Sequence, residues 1–196
     1  LNLNNLPALL AAITALTPID ERERESIDEV ITLAPTLENP FSETTNETHL
    51  TASAIVVGTR GTVLHRHKKL GIWVQPGGHI DDGESGAAAA LREASEETGL
   101  VLAHPVAGPL MFHVDVHPGP RGHRHFDLRY LILAGDQDPS PGQDESQEIG
   151  WFSFIDAHVR AEDSMNGVLK KAEALWDLHE SIWREKVESM NQDRTG

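Results

Sequence analysis

The sequence predicts a layered fold of the α/β (α+β) class, in which helices enclose a mixed β-sheet. Three observations point there. Apolar residues recur at helical spacing at both ends of the chain. Its middle holds short runs that alternate apolar and polar residues, and one alanine- and glutamate-rich helix interrupts those runs. A chain of 196 residues accommodates one principal domain with an appendage, and it can bury a sizeable core.

Taken in order, residues 1–45 read as a helical N-terminal extension. Leu6, Leu9, Leu10, Ile13 and Leu16 mark a first helix. Thr17 and Pro18 look like the N-cap and first turn of a second, which carries Ile27, Val30 and Ile31 and stops before Pro35. A polar loop follows over 39–47, and the domain proper spans 46–196. Within it, 51–57 and 62–67 read as paired strands about a glycine turn, and 71–75 as a short strand ended by Pro76-Gly77-Gly78. Ser85 to Thr98 is a strong helix closed by Gly99. Two alternating strands follow, over 111–117 and 123–134. In the second, Phe126, Leu128 and Tyr130 share one face, and His125, Asp127 and Arg129 the other. A loop over 136–147 leads to a last strand at 149–154. A long amphipathic helix then runs from about Asp163 to Met190, with a polar tail after it.

Composition narrows the function. With no cysteine, disulfides, thiolate metal sites and a cysteine nucleophile are excluded. A reducing cytoplasmic location fits this. The formal charge of −15 argues against a general basic surface for long nucleic acids. If such a chain handles phosphates, something cationic must sit between its carboxylates and the substrate, and a bound divalent metal is the natural mediator. The apolar stretch from Leu6 to Leu16 is too short to span a bilayer and lacks the basic flank of a signal peptide, so no membrane association is expected. The first residue is Leu1 rather than methionine, which is consistent with residues missing ahead of it.

The informative segment runs from Gly78 to Leu100. Glu93, Glu96 and Glu97 lie at i, i+3 and i+4, so a helix places their carboxylates on one surface, where they offer hard oxygen ligands to Mg²⁺ or Mn²⁺. Arg92 adjoins them, and Glu84 near the helix start is spaced to pair with it. Gly77 and Gly78 allow a tight backbone turn with carbonyls free to face an ion. A Glu-x-x-Glu-Glu triplet by itself is ordinarily a solvated acidic face. The full segment, however, has the form G-x5-E-x7-R-E-U-x-E-E-x-G-U, with Ala94 and Leu100 at the apolar U positions.

That segment resembles the Nudix signature at every fixed position. The resemblance implies an α/β/α sandwich with a mixed sheet, and hydrolysis of a diphosphate linkage in a nucleoside diphosphate joined to another moiety. It makes Glu93, Glu96 and Glu97 metal ligands, with a main-chain carbonyl of Gly77 or Gly78 completing the shell. Two or three Mg²⁺ or Mn²⁺ ions would act with substrate bound. Glu93 is also placed to orient the attacking water, and Arg92 and Glu84 belong to the same catalytic set. A further acid often lies outside the signature in this family; Glu145 is favoured here over Glu148. The runner-up is a catalytically silent nucleotide-binding module on the same fold. An isoprenoid diphosphate isomerase on this scaffold relies on a cysteine, which is absent. A purely structural protein, including a homodimer, would rest on the amphipathic terminal helices.

Eleven histidines stand out. His65 and His67 alternate on one strand, and His113, Asp115 and His117 share a face, as do His123, His125, Asp127 and Arg129. One reading places these faces along the substrate cleft, with Arg129 on phosphates or paired with Asp127, and His125 and His79 as further substrate contacts. Another is a separate imidazole site for zinc or a related metal. The third is a solvated strand face. Trp73 and Phe112 are expected in the core rather than stacked on a base.

Overall fold

The computed structural model describes residues 5–192; the polar tail beyond them lies outside the described residues. Two helices open the chain, α1 (Leu6–Thr14) and α2 (Glu21–Leu33). Strands β1 (Thr48–Gly58), β2 (Gly61–Arg66), β3 (Trp73–Val74) and β4 (Gly77–His79) precede the signature helix α3 (Gly86–Thr98). Then come β5 (Leu102–Ala103), β6 (Leu110–Pro118), β7 (Arg124–Ala134) and β8 (Ile149–Phe152), followed by α4 (Phe154–Arg160) and the long α5 (Asn166–Gln192).

The sheet is mixed. Its main path is β3-β2-β1-β7-β5, with β4 on β1, β6 on β7 and β8 on β2. β1 and β7 run parallel through ten paired positions, and the other pairings between these strands are antiparallel. Two cores cover its faces. On one, Leu50, Ala52, Ala54, Phe126, Leu128 and Tyr130 meet Leu9 and Ile13 of α1, Ile27 and Val30 of α2, and Ala89, Ala90 and Ala94 of α3. On the other, Ile55, Val57, Leu131 and Leu133 meet Val168, Leu169, Ala172 and Trp183 of α5. The result is the expected α/β/α sandwich. Both faces of β7 are therefore buried from Phe126 to Ala134, because the strand is central and helices cover both sides.

Several details differ from the sequence reading. α2 starts later than Thr17-Pro18. Asp20 is its N-cap, accepting from Glu23 N at 2.9 Å, while Glu23 accepts from Ile19 N at 2.7 Å. This reciprocal exchange of hydrogen bonds satisfies the first free N–H groups better than Thr17 does. Pro76-Gly77-Gly78 does not simply end a strand. Gly77 and Gly78 form an extended strand against β1, facing Ser53 and Ala52. Their lack of side chains serves close approach rather than a turn: a Cβ on Gly77 would lie 2.4 Å from Ser53 Cβ. Helix α4 and the two-residue β5 were not foreseen. Ser153 caps α4, accepting from Asp156 N at 3.1 Å, but seven residues, about two turns, give too short a period to read.

The first two helices are integral to the fold. α2 lies along the outer edge of β6, where Val116 N donates to Ser26 Oγ at 3.1 Å. The fully buried Glu23 accepts from Lys171 of α5 at 2.7 Å. An otherwise open sheet edge is thus covered.

Candidate active site

Helix α3 presents the acidic residues. Ser85 caps it, accepting from Ala88 N at 3.1 Å, and Gly99 ends it in the left-handed region at φ 64°. Arg92 is the organiser of its outer surface. It grips Glu84 with two hydrogen bonds, at 3.1 and 2.9 Å, donates to Glu93 Oε1 at 2.8 Å and reaches the His79 carbonyl at 3.1 Å. Glu96 lies 3.5 Å from the same guanidinium. The Glu84–Arg92 pair inferred from spacing is therefore formed. It fixes the loop after β4 onto the helix, helped by the Asp81 N–H that Glu84 accepts at 3.1 Å.

Glu97 points inward. It accepts from Gly77 N at 2.9 Å, and its carboxylate lies 3.9 Å from His65 Nε2. Gly78 lies directly against Glu93, and a Cβ there would sit 2.5 Å from the Glu93 carboxyl carbon. Only glycine lets the β4 backbone come this close to the acidic cluster.

The electrostatics follow from crowding and burial. Burial pushes Glu97 up to about 8, the neighbouring Glu93, Glu145 and Glu96 charges add to this, and the Gly77 N–H opposes it. Glu93 is also raised, chiefly by burial and against the pull of Arg92. Burial works to raise Glu84 too, but the Arg92 hydrogen bond, the Asp81 N–H and the Arg92 charge outweigh it and hold Glu84 below its ordinary value. Two adjacent carboxylates that resist ionisation, beside an extended backbone, form a donor set that a divalent cation would relieve. Hard oxygens in this arrangement fit Mg²⁺ or Mn²⁺.

Glu97 and Glu145 line one cavity of about 190 Å³ together with His65, His67, Lys68, Lys69, Pro120 and Ser146. It adjoins a larger open cleft of about 540 Å³ bounded by Arg66, Lys68, Gly71, Gln143 and Glu148. The cleft thus runs between the loop after β2 and the loop before β8.

A NUDIX domain profile matches residues 47–172, which is 126 of the 196 residues. The chain belongs to the Nudix family. A Bacillus subtilis protein named provisionally as an 8-oxo-dGTP diphosphatase is 32% identical over 91 residues, covering 46% of this chain and 56% of that protein. A Xenopus laevis m7GpppN-mRNA hydrolase is 32% identical over 106 residues, covering 47% and 36%. The chain therefore spans about half the length or less of these relatives. Among solved structures, a NUDIX-family hydrolase from Clostridium perfringens superposes with a TM-score of 0.55 at 28% identity, over 66% of this chain and 97% of that one. A C. elegans Ap4A hydrolase also reaches 0.55 over 65% and 97%, but at 21% identity it speaks to the fold alone.

Within this Nudix domain the sequence-derived candidates separate into four places. Glu84, Arg92, Glu93 and Glu96 meet through the Arg92 guanidinium, while Glu97 and Glu145 line the cavity, with Gly77 N donating to Glu97 and Gly78 packed against Glu93. Asp127 and Arg129 lie elsewhere, beneath the sheet. Arg129 is only 2% exposed and donates to Asp127 at 3.0 Å and to Asp115 at 3.0 Å. Asp127 also accepts from Thr51, Ser53 and Gln75. Of the two roles expected for Arg129, pairing with Asp127 is present. The place along the substrate cleft expected for it is not, because α5 and α2 close that face. His79 and His125 form part of a histidine group described below. Trp73 packs edge-on against Phe152 at 5.2 Å, and Phe112 is buried in the second core.

The cations at the cleft are Arg66, Lys68 and Lys69, which the sequence reading passed over. His65-Arg66-His67-Lys68-Lys69 is a run of basic and imidazole residues in a chain of charge −15, and that contrast was the available signal. Among the described residues no helix is long and apolar enough to cross a membrane.

Proposed function

We propose that the chain is a divalent-metal-dependent hydrolase of a diphosphate linkage in a nucleoside diphosphate joined to another moiety. The observation that carries this reading is the convergence of Glu93 and Glu97 on the glycine backbone of β4, where a side chain on Gly78 would collide with Glu93. A silent nucleotide-binding module has no need to keep that clearance and the full carboxylate set together. The nucleotide-cleaving activities named for the Bacillus and Xenopus relatives support the same reaction class.

In this reading Glu93, Glu96 and Glu97 hold the ions, with Glu145 and a carbonyl of Gly77 or Gly78 as further ligands. Bound Mg²⁺ or Mn²⁺ would supply charge neutralisation on the diphosphate and a lowered pKa for water. The chain's own residues do the rest. Arg92, locked by Glu84, keeps Glu93 oriented and is a positioning residue. Glu93, held in place by Arg92, accepts a proton from the attacking water or orients it. Lys68, Lys69 and Arg66 draw the substrate's phosphates into the cleft.

Metal removal tests this directly. Turnover of a nucleotide panel, with products identified by mass spectrometry, should vanish in EDTA and return with excess Mg²⁺ or Mn²⁺. Full turnover in chelator would overturn the proposal. No turnover under any condition, with nucleotide binding retained, would favour the silent module. A second variant grades the machinery. Glu84→Gln leaves Arg92 with a weaker partner, so we expect a loss of about 1.5–3 kcal/mol in stability, as for hydrogen bonds to charged groups. Its kcat should fall by less than that of any variant of the inward-facing glutamates. Thermal unfolding and steady-state kinetics check both.

A further inference from the structure

Toward the N-terminal end of β1 the polar face of the sheet becomes a cluster of histidines. His49 on β1 pairs in register with His125 on β7, and His79 on β4 pairs with Thr51, two residues along β1. One ring nitrogen from each of the three lies within 4.8 Å of the others. The ring centroids are 5.0, 5.3 and 5.6 Å apart, and His123 and His117 stand against the group at 5.2 and 5.5 Å.

Imidazoles packed this tightly cannot all carry protons. Burial pushes His125 down to about 4, and the nearby His117, His49 and His79 add to it; burial also lowers His49. The neutral ring is the form that ligates metals. The tautomer of His49 is set by its surroundings. Its Nδ1 lies 3.2 Å from the Asn46 carbonyl, which can only accept, so Nδ1 carries the hydrogen and Nε2 is left with a bare lone pair. His49 is fully buried, and its Nε2 has no hydrogen-bond partner among the described residues; His125 Nε2 is buried and unpartnered as well. A carbonyl holding one ring nitrogen while the other is kept dry and unpaired is how proteins orient histidine ligands. Glu43, 3.2 Å from His79 Nε2, fixes the third ring with a carboxylate.

We infer that His49, His79 and His125 form a site for one divalent transition-metal ion of the zinc class, distinct from the glutamate centre. Nitrogens held at about 2.0–2.1 Å from a tetrahedral ion lie roughly 3.3 Å apart, so side-chain rotations of about an ångström close the site. Imidazole donors select zinc-like ions, whereas the carboxylates of α3 select magnesium or manganese. Three histidine ligands leave a fourth position for water or a phosphate oxygen. The ion ties β1, β4 and β7 together. His79 follows Gly78, and its carbonyl accepts from Arg92, so the ion also anchors the start of the signature loop.

The test is metal titration of the chain stripped by chelator, in excess Mg²⁺ to occupy the carboxylates. One equivalent of Zn²⁺ should bind by equilibrium dialysis and elemental analysis. Co²⁺ should give the visible absorption of a tetrahedral nitrogen-ligated ion. The Glu93→Gln/Glu97→Gln double variant should keep both signals. His49→Gln and His125→Gln should lose them, with circular dichroism reporting the fold. His79 is partly exposed, so His79→Gln should fold as wild type and bind Zn²⁺ at least about tenfold more weakly. Wild-type Zn²⁺ affinity in His79→Gln, loss of the Co²⁺ band in the double glutamate variant, or no tight Zn²⁺ in the unaltered chain would each overturn the assignment.

Discussion

Glu93→Gln and Glu97→Gln should each lower kcat by about a hundredfold or more, because each removes a charged ligand from the reacting centre. The substitution is close to isosteric, so the effect should be chemical rather than structural. Glutamine at 97 still offers an oxygen to the Gly77 N–H, which Glu97 accepts at 2.9 Å, and glutamine at 93 still fits beside Gly78. Relieved of mutual repulsion, either variant should unfold at or above the wild-type temperature while its turnover collapses. That opposite movement of stability and rate separates a ligand role from a packing role. Glu96 has a side chain 57% exposed at the edge of the cluster, so its glutamine variant should be the mildest of the three. Kinetics under saturating Mg²⁺ decide the matter. Should Glu84→Gln prove the most damaging substitution while the fold is intact, the assignment of ligands to the helix face fails.

Arg129→Ala should cost about 3–5 kcal/mol of folding stability, the usual consequence of removing one member of a buried ion network. Arg129 sits between Asp115 and Asp127, with side-chain exposures of 2%, 1% and 2%. Burial alone would raise the Asp115 carboxyl, but Arg129, His117 and Arg22 overwhelm that effect and hold it far below the usual range. Because the folded value is depressed, the stabilisation is present above the ordinary carboxylate pKa and is lost as pH falls below it. The alanine variant leaves two buried carboxylates facing each other with less compensation. Its urea-unfolding midpoint should drop sharply at neutral pH, and the gap to wild type should narrow as the medium is acidified. A change under about 1 kcal/mol, the ordinary size for an exposed site, would mean that the face opens to water in solution. Arg129 would then return as a candidate for phosphate binding.

The Arg129 case shows where sequence patterning stops. Alternation along β7 correctly separates Phe126, Leu128 and Tyr130 from His125, Asp127 and Arg129, since strand geometry sends successive side chains to opposite faces. Alternation is silent on what covers the second face. Residues contributed from the far ends of the chain, Arg22 of α2 and α5 as a whole, bury it, and such long-range docking leaves no local mark. The terminal helices could be read from their apolar stripes, yet their shared contact through Glu23 and Lys171 depends on two positions 148 apart in the chain.

Local chemistry was readable for the opposite reason. The spacing of Glu93, Glu96 and Glu97 fixes their mutual placement once a helix forms, and Ser85 and Gly99 mark where that helix starts and stops. The eight-residue gap from Glu84 to Arg92 allows their pairing, because the intervening helix turns are rigid. By itself, then, the sequence determined the layered fold, the family signature and the acidic face. Tertiary structure decided which glutamate points inward, since that depends on β4 lying against β1. It also placed Lys68 and Lys69 at the cleft and gathered His49, His79 and His125 from three strands. Those convergences come from sheet register and from packing between distant segments, which one-dimensional spacing does not encode.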